Sequence, residues 1–133
     1  MQEQSVLSIP LFAGLSKKER RTIAQHTDEL GFDEGKYLVR EGEFPYEFFI
    51  IEEGTAEVTH DGEHLADLGP GDFFGEQALM GGVRRNASVV TTSHVKVVVM
   101  TAKHFRQMKR ELPGVCDQIT RAVEERGRAI GAP

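Results

Sequence analysis

The sequence predicts a mostly β fold with flanking helices, arranged as an antiparallel β-roll or jelly roll. Between Gly31 and Met100, glycines separate short runs of β-branched and aromatic residues, which is the pattern of a small sandwich or barrel. On both sides of this stretch, apolar residues recur at the spacing of amphipathic helices. A chain of 133 residues fits one compact domain. We therefore predict a single domain, 1–133, with an N-terminal helical segment (1–31), a β-roll (32–100) and C-terminal helices (101–133).

The N-terminal segment carries a helix start signal. Ser16 precedes Glu19 by three residues, the spacing of a capping box in which each side chain accepts a hydrogen bond from the other residue's backbone. Apolar positions from Ile23 to Leu30 then follow at helical spacing. Together they predict a helix of about fifteen residues.

Six short runs in the β-roll segment are predicted to be strands. Two of them are joined by Asp61-Gly62, a dipeptide that favours the type I′ turn of a tight hairpin. Gly69-Pro70-Gly71 marks another tight turn. The predicted strands are Tyr37–Arg40, Glu47–Glu52, Thr55–His60, Glu63–Leu68, Ala87–Thr91 and Val95–Met100.

The C-terminal segment returns to a helical pattern. Pro113 is placed to begin a helix, because its missing N–H costs little in the first turn. The apolar face of this helix can pack either on the β core or on a second copy of the chain. Its residues are Val115, Ile119, Ala122, Val123 and Ile130.

Composition argues against several classes of protein. The net charge is −5, from 16 basic and 21 acidic residues, whereas general nucleic-acid binding needs a basic surface. The first residues lack the features of a secretory signal, and no apolar stretch is long enough to cross a bilayer. Cys116 is the only cysteine, which suits a reducing compartment. We therefore expect a cytoplasmic protein in which Cys116 is a small buried hydrophobe.

The segment 73–89 contains the residues with the most specific chemistry. Gly75 allows the backbone to approach a ligand closely, and a helical turn beginning near Glu76 would direct free N–H groups at a phosphate. Arg85 would add charge-assisted contacts to phosphate oxygens, and the Glu76 carboxylate is a suitable acceptor for ribose hydroxyls. These residue types suit a ligand with a phosphate and a ribose. From the residues alone, a purely structural glycine turn is an equal alternative.

This segment resembles the phosphate-binding cassette of cyclic-nucleotide-binding domains. The family pattern is approximately F-G-E, an apolar residue, A-L and another apolar residue, followed a few positions later by P-R-x-A-(S/T)-V. The resemblance also includes the opening Ile9–Ser16 and the turn Gly69–Phe74, and it covers about Val6 to Ile130. The cassette residues in register are Phe74, Gly75, Glu76, Ala78, Leu79, Met80, Arg85, Ala87, Ser88 and Val89.

The resemblance implies a role for each site position. Arg85 is expected to bind the cyclic phosphate, Glu76 the ribose 2′-hydroxyl, and Ser88 the base or the phosphate. The last helix is expected to close over the base, with Ile119 and Val123 as candidate lid contacts. Backbone N–H groups of four residues would complete the phosphate site: Gly75, Gln77, Ala78 and Asn86.

Three residues depart from the family pattern. Gln77 stands in place of an apolar residue, Arg84 in place of proline, and Asn86 in place of a smaller residue. Arg84 adds a second cation beside Arg85, and the register favours Arg85 as the phosphate ligand. None of the three removes a group that the implied site requires.

Two other interpretations stay open. A degenerate domain of the same fold could lack ligand binding and serve as a dimerisation module through its C-terminal helices. The second is a metal enzyme of the cupin type, because His60 and His64 flank the predicted hairpin turn. Their spacing differs from the His-x-His pair of that class, so we favour exposed histidines that bind no metal.

The sequence therefore predicts a regulatory sensor domain that binds a cyclic nucleotide. We expect cAMP rather than cGMP as the ligand, although Ser88 is compatible with both. Ligand binding is expected to move the C-terminal helix. We expect no catalytic residues, no metal and no catalytic cofactor, since no arrangement of Ser, Cys, His and acidic residues indicates catalysis. The expected partners are the nucleotide and either a second copy of the chain or a fused or associated effector.

Overall fold

Helices occupy both ends of the chain, with a β-roll between them. The computed structural model describes residues 1–44, 46–75, 79 and 87–130, with side chains up to residue 125 in the last helix. The helices are α1 (Glu3–Val6), α2 (Lys17–Gln25), α3 (Ala102–Glu111) and α4 (Pro113–Ile130), with a 3-10 helix at Pro10–Phe12.

Two antiparallel sheets make up the β-roll. The strands in the described part of the chain are β1 (Asp28–Phe32), β2 (Tyr37–Val39), β3 (Glu47–Glu53), β4 (Ala56–His60), β5 (Glu63–Leu68), β6 (Phe73–Phe74), β7 (Ser88–Thr91) and β8 (Val95–Thr101). Their orders are β1-β8-β3-β6 and β2-β7-β4-β5. All six predicted strands are present, and their ends are shifted by at most one residue. β1 and β6 were not predicted.

The alternation of side chains along β3 divides the core into two clusters. Phe48 and Ile50 pack among residues of the helices, in what we call the helix-side cluster. Phe49 and Ile51 pack among residues of both sheets, in the inter-sheet cluster. The run of consecutive apolar residues in β3 is explained by this burial on both faces.

The helix α2 is shorter than predicted. Its capping box is formed as expected: the Ser16 hydroxyl accepts from the Glu19 amide at 3.1 Å, and the Glu19 carboxylate accepts from the Ser16 amide at 2.8 Å. The predicted continuation to Leu30 is wrong, because residues 28–32 form β1 and pair with β8 along their whole length. Backbone hydrogen bonds to β8 make these residues a strand although their apolar positions have helical spacing. The first strand therefore begins before the predicted boundary at residue 32.

The hairpin between β4 and β5 is formed as predicted. Asp61 and Gly62 both have positive φ angles, 50° and 80°, as a type I′ turn requires. Aspartate tolerates this left-handed conformation better than most residues with a side chain.

Three residues of the predicted apolar face of α4, Val115, Ile119 and Val123, pack within their own chain, while the side chain of Ile130 lies outside the described part. α4 begins at Pro113 as predicted, and Val115, Cys116, Ile119 and Val123 are buried in the helix-side cluster. Burial also raises the pKa of the Cys116 thiol to about 11, so this residue has the apolar role expected of it. None of the helices in the described residues combines the length and apolar character needed to cross a membrane.

Candidate functional site

The two described ends of the cassette belong to different sheets. Gly75 directly follows β6, which pairs with β3. Ser88 begins β7, which lies between β2 and β4 in the other sheet. The chain between Gly75 and Ser88 therefore connects one sheet to the other.

Gly75 occupies a conformation that favours glycine. Its φ angle is 77°, in the left-handed region where a side chain would crowd the backbone. The residue is also buried. The structure thus gives a conformational reason for glycine at this position, and the predicted approach to a ligand stays a prediction.

Ser88 is held by a partner that the sequence did not reveal. The residue is 8% exposed, and its Oγ accepts a hydrogen bond from the backbone N–H of Glu41 at 3.0 Å. A hydroxyl that accepts one bond can still donate its own proton. Ser88 therefore anchors the loop after β2, and its predicted contact with a ligand stays a prediction.

Leu79 links the cassette to the C-terminal helices. It is buried in the helix-side cluster, which also contains Ile119 and Val123. Ala87, near the other end of the cassette, is buried in the inter-sheet cluster instead. The cassette is therefore attached to both parts of the core.

The candidate lid residues are part of the protein's own core in this arrangement. Ile119 and Val123 are each 1% exposed, and they pack with Phe105 and Met108 of α3. A ligand could contact them only if a rearrangement exposed these side chains.

The remaining predicted site residues lie outside the described part of the chain. They are Glu76, Gln77, Ala78, Arg85 and Asn86. Their predicted roles in binding phosphate and ribose stay predictions.

A pair of carboxyl groups on β1 and β3 was not singled out by the sequence. Oε2 of Glu29 and Oε1 of Glu52 are buried, and Nζ of Lys96 lies 3.3 Å from Oε2 of Glu29. The pKa of Glu52 is raised from 4.5 to about 7. Burial is the largest cause, and the hydrogen bond to Glu29 and the negative charge of Glu29 come next. Burial opposes ionisation of Glu29, but hydrogen bonds with Glu52 and Lys96 outweigh it and lower the Glu29 pKa. The pair therefore shares one proton at mildly acidic pH.

Comparisons with known proteins agree with this fold. A family model described as "Cyclic nucleotide-binding domain" matches residues 29–111. The cAMP-dependent protein kinase regulatory subunit of Emericella nidulans is 35% identical over 130 residues, which is 96% of this chain and 31% of that protein. The regulatory domain of Toxoplasma gondii PKA, co-crystallised with cAMP, is 29% identical with a TM-score of 0.76, over 92% of this chain and 48% of that chain.

A further solved structure has a different ligand. The regulatory subunit of a cAMP-independent protein kinase A from Trypanosoma cruzi, bound to guanosine, is 30% identical with a TM-score of 0.75. The match covers 91% of this chain and 44% of that chain.

The chain corresponds to one part of larger proteins. It spans between 24% and 34% of the length of five curated relatives, all of them cAMP-dependent protein kinase regulatory subunits. The family model covers well over half of this chain, from β1 to the end of α3. The two sheets, the flanking helices and the cassette sequence all agree with that match. The chain belongs to the cyclic nucleotide-binding domain family.

Proposed function

We propose that this domain binds a cyclic nucleotide, cAMP in preference to cGMP, and acts as a regulatory sensor rather than as an enzyme. The observation that carries the proposal is the ungapped match of residues 74–89 to the phosphate-binding cassette, within a domain of the matching family. In this proposal Arg85 pairs with the cyclic phosphate and Glu76 accepts from the ribose hydroxyl. The remaining contacts come from Ser88 and from the backbone N–H groups of Gly75, Gln77, Ala78 and Asn86.

The preference for cAMP rests on the relatives rather than on the fold. Several similar solved structures contain cAMP and another contains guanosine, so the shared fold does not select the base. The five curated relatives, at 29% to 35% identity, are regulatory subunits of cAMP-dependent kinases. That consistency supports cAMP for this chain.

The packing of Leu79 supports a route from the cassette to α4. Leu79 shares the helix-side cluster with Ile119 and Val123. A movement of the cassette would therefore change the packing of apolar side chains against α4. Nucleotide binding shifts this equilibrium only if the ligand binds one arrangement more tightly than the other. In the proposed closure, α4 leaves its present position and moves toward the base.

We further propose that the domain works in the cytoplasm and controls an effector. The effector would be fused to the domain or associated with it, or the domain would pair with a second copy. Since Val115, Ile119 and Val123 of α4 are buried within their own chain, a pairing through these residues would require a rearrangement of α4.

Isothermal titration calorimetry with cAMP and cGMP tests the nucleotide proposal, and the chain contains its own control. Arg85→Ala removes the proposed phosphate ligand, whereas Arg84→Ala removes the neighbouring cation. A charge-assisted contact to phosphate is worth about 3 kcal/mol, or roughly 150-fold in affinity. We expect that loss for Arg85→Ala and a change of only a few fold for Arg84→Ala.

The other outcomes are equally informative. If Arg85→Ala binds as tightly as the wild type, the role assigned to Arg85 is wrong. A large loss with Arg84→Ala alone would transfer that role to Arg84. Flat titrations of the folded wild type with both nucleotides would favour the non-binding interaction module.

A further inference from the structure

The tip of the β4–β5 hairpin brings one imidazole and two carboxylates together. Nδ1 of His60 lies 3.3 Å from Oε2 of Glu41, and its Nε2 lies 3.3 Å from Oδ2 of Asp61. One potential ligand atom from each of the three residues can be chosen so that all lie within 4.8 Å of one another. This group lies on the surface and includes no residue of the predicted nucleotide site.

Glu41 is held in position at both its backbone and its side chain. Its backbone N–H donates to Ser88, and its Oε1 accepts a hydrogen bond from the Asp61 N–H at 2.9 Å. The oxygen that faces His60 is the other one, Oε2. The Glu41 side chain is 28% exposed and that of Asp61 is 81% exposed, so one carboxylate is fixed and the other is free to adjust.

The charge of this group favours a cation. In the described part of the chain, His60 is the only ion-pair partner of either Glu41 or Asp61, and no lysine or arginine neutralises them. Two carboxylates therefore surround a single imidazole on a chain whose net charge is already −5. A divalent ion would neutralise both carboxylates at once.

We propose that Glu41, His60 and Asp61 bind a divalent transition-metal ion, with Zn²⁺ as the best fit. Imidazole nitrogen and carboxylate oxygen are common ligands of Zn²⁺, at bond lengths of about 2.1 Å. A tetrahedral ion with such bonds separates its ligand atoms by about 3.4 Å, close to the 3.3 Å between Nδ1 of His60 and Oε2 of Glu41. The exposed carboxylate of Asp61 would turn from Nε2 toward the ion bound at Nδ1 and become the third ligand, and water would be the fourth. This proposal departs from the sequence-based expectation that the hairpin histidines bind no metal.

His64, on the other side of the turn, provides a matched control. It also lies between two carboxylates, but its Nδ1 is 3.7 Å from Glu57 and its Nε2 is 3.7 Å from Asp67. Both histidine side chains are about half exposed, 53% for His60 and 50% for His64. Among the residues that the structure describes, only Glu41, His60 and Asp61 bring three potential ligand atoms within 4.8 Å of one another.

The test is titration of the tag-free chain with ZnCl₂ by isothermal calorimetry, in a buffer that does not bind metal. We expect one Zn²⁺ per chain. His60→Gln and Glu41→Gln should each weaken binding about tenfold or more, while His64→Gln should bind like the wild type. Glutamine at position 41 keeps an oxygen for the Asp61 N–H, so this variant should fold normally.

Thermal unfolding followed by circular dichroism supplies a second measurement. Without metal, all three variants should unfold near the wild-type temperature, because the substituted side chains are partly or largely exposed. Zn²⁺ should raise the unfolding temperature of the wild type and of His64→Gln, and have little effect on His60→Gln. The proposal is wrong if the wild type binds no Zn²⁺, or if His64→Gln loses binding and His60→Gln retains it.

Discussion

The backbone N–H of Glu41 donates a 3.0 Å hydrogen bond to the buried hydroxyl of Ser88, from a position 47 residues earlier in the chain. The bond joins the loop after β2 to the strand that follows the cassette. Ser88 therefore has a structural role that is independent of any ligand.

Replacing Ser88 by alanine should lower stability even without a nucleotide. The substitution leaves the Glu41 N–H without its acceptor in a partly buried place, and we expect the free energy of unfolding to fall by about 1–2 kcal/mol. Ser93 is the control, because its Oγ accepts from the Thr55 N–H at the same 3.0 Å distance in an exposed position. Urea unfolding should show a loss of about 0.5 kcal/mol or less for Ser93→Ala, since water can replace the lost acceptor. Equal losses of unfolding free energy in the two variants would mean that burial of the Ser88 hydrogen bond adds nothing to stability.

The Glu29–Glu52 pair should make stability depend on pH. The pKa of Glu52 is raised to about 7 in the folded protein, so its contribution is fully present below its ordinary value of 4.5 and is lost as the pH rises through about 7. Glu29 has a lowered pKa, so its contribution is lost as the pH falls through that lowered value. We expect maximal stability at mildly acidic pH and a decline of about 1–2 kcal/mol toward pH 8, after allowance for solvent screening.

Glu52→Gln provides the direct check on this pH dependence. The uncharged amide resembles the protonated acid, so the variant should be more stable than the wild type at pH 8 and should show a smaller decline above about pH 5. Glu63→Gln, which alters an exposed glutamate of β5, should retain the wild-type profile. Urea unfolding at several pH values measures both. If the free energy of unfolding of Glu52→Gln changed with pH in parallel with that of the wild type, the proposed sharing of a proton by Glu29 and Glu52 would be wrong.

Truncation of Ile119 should distinguish a core residue from a ligand contact. Ile119 is 1% exposed in the helix-side cluster, so Ile119→Ala should destabilise the ligand-free protein by about 3 kcal/mol. Gln118→Ala, at an exposed neighbouring position of α4, should change stability by less than about 0.5 kcal/mol. Thermal and urea unfolding of the ligand-free variants provide the measurement. If Ile119→Ala has wild-type stability but weakened cAMP binding, Ile119 is a lid contact and not a core residue.

Local sequence signals predicted much of this fold correctly. The capping box at Ser16 and Glu19, the Asp61-Gly62 turn and the helix start at Pro113 all depend on residues within a few positions of one another. Such signals act through short-range hydrogen bonds and backbone preferences, which depend only on residues close together in the sequence. The family was also predicted from consecutive residues of the cassette, whereas the roles of the individual cassette residues stay predictions.

Features that depend on distant partners could not be read from the sequence. Residues 28–32 continue a helical spacing of apolar residues, but they form β1 because all five pair with residues of β8. Glu29 meets Glu52, and Glu41 meets Ser88, only because separate strands and loops come together in the folded chain. Whether the apolar face of α4 would cover the chain's own core or a second copy was likewise open, and its residues Val115, Ile119 and Val123 are buried in the helix-side cluster. Composition and spacing specify which surfaces must be buried or paired, whereas the partner is selected by the packing of the whole domain.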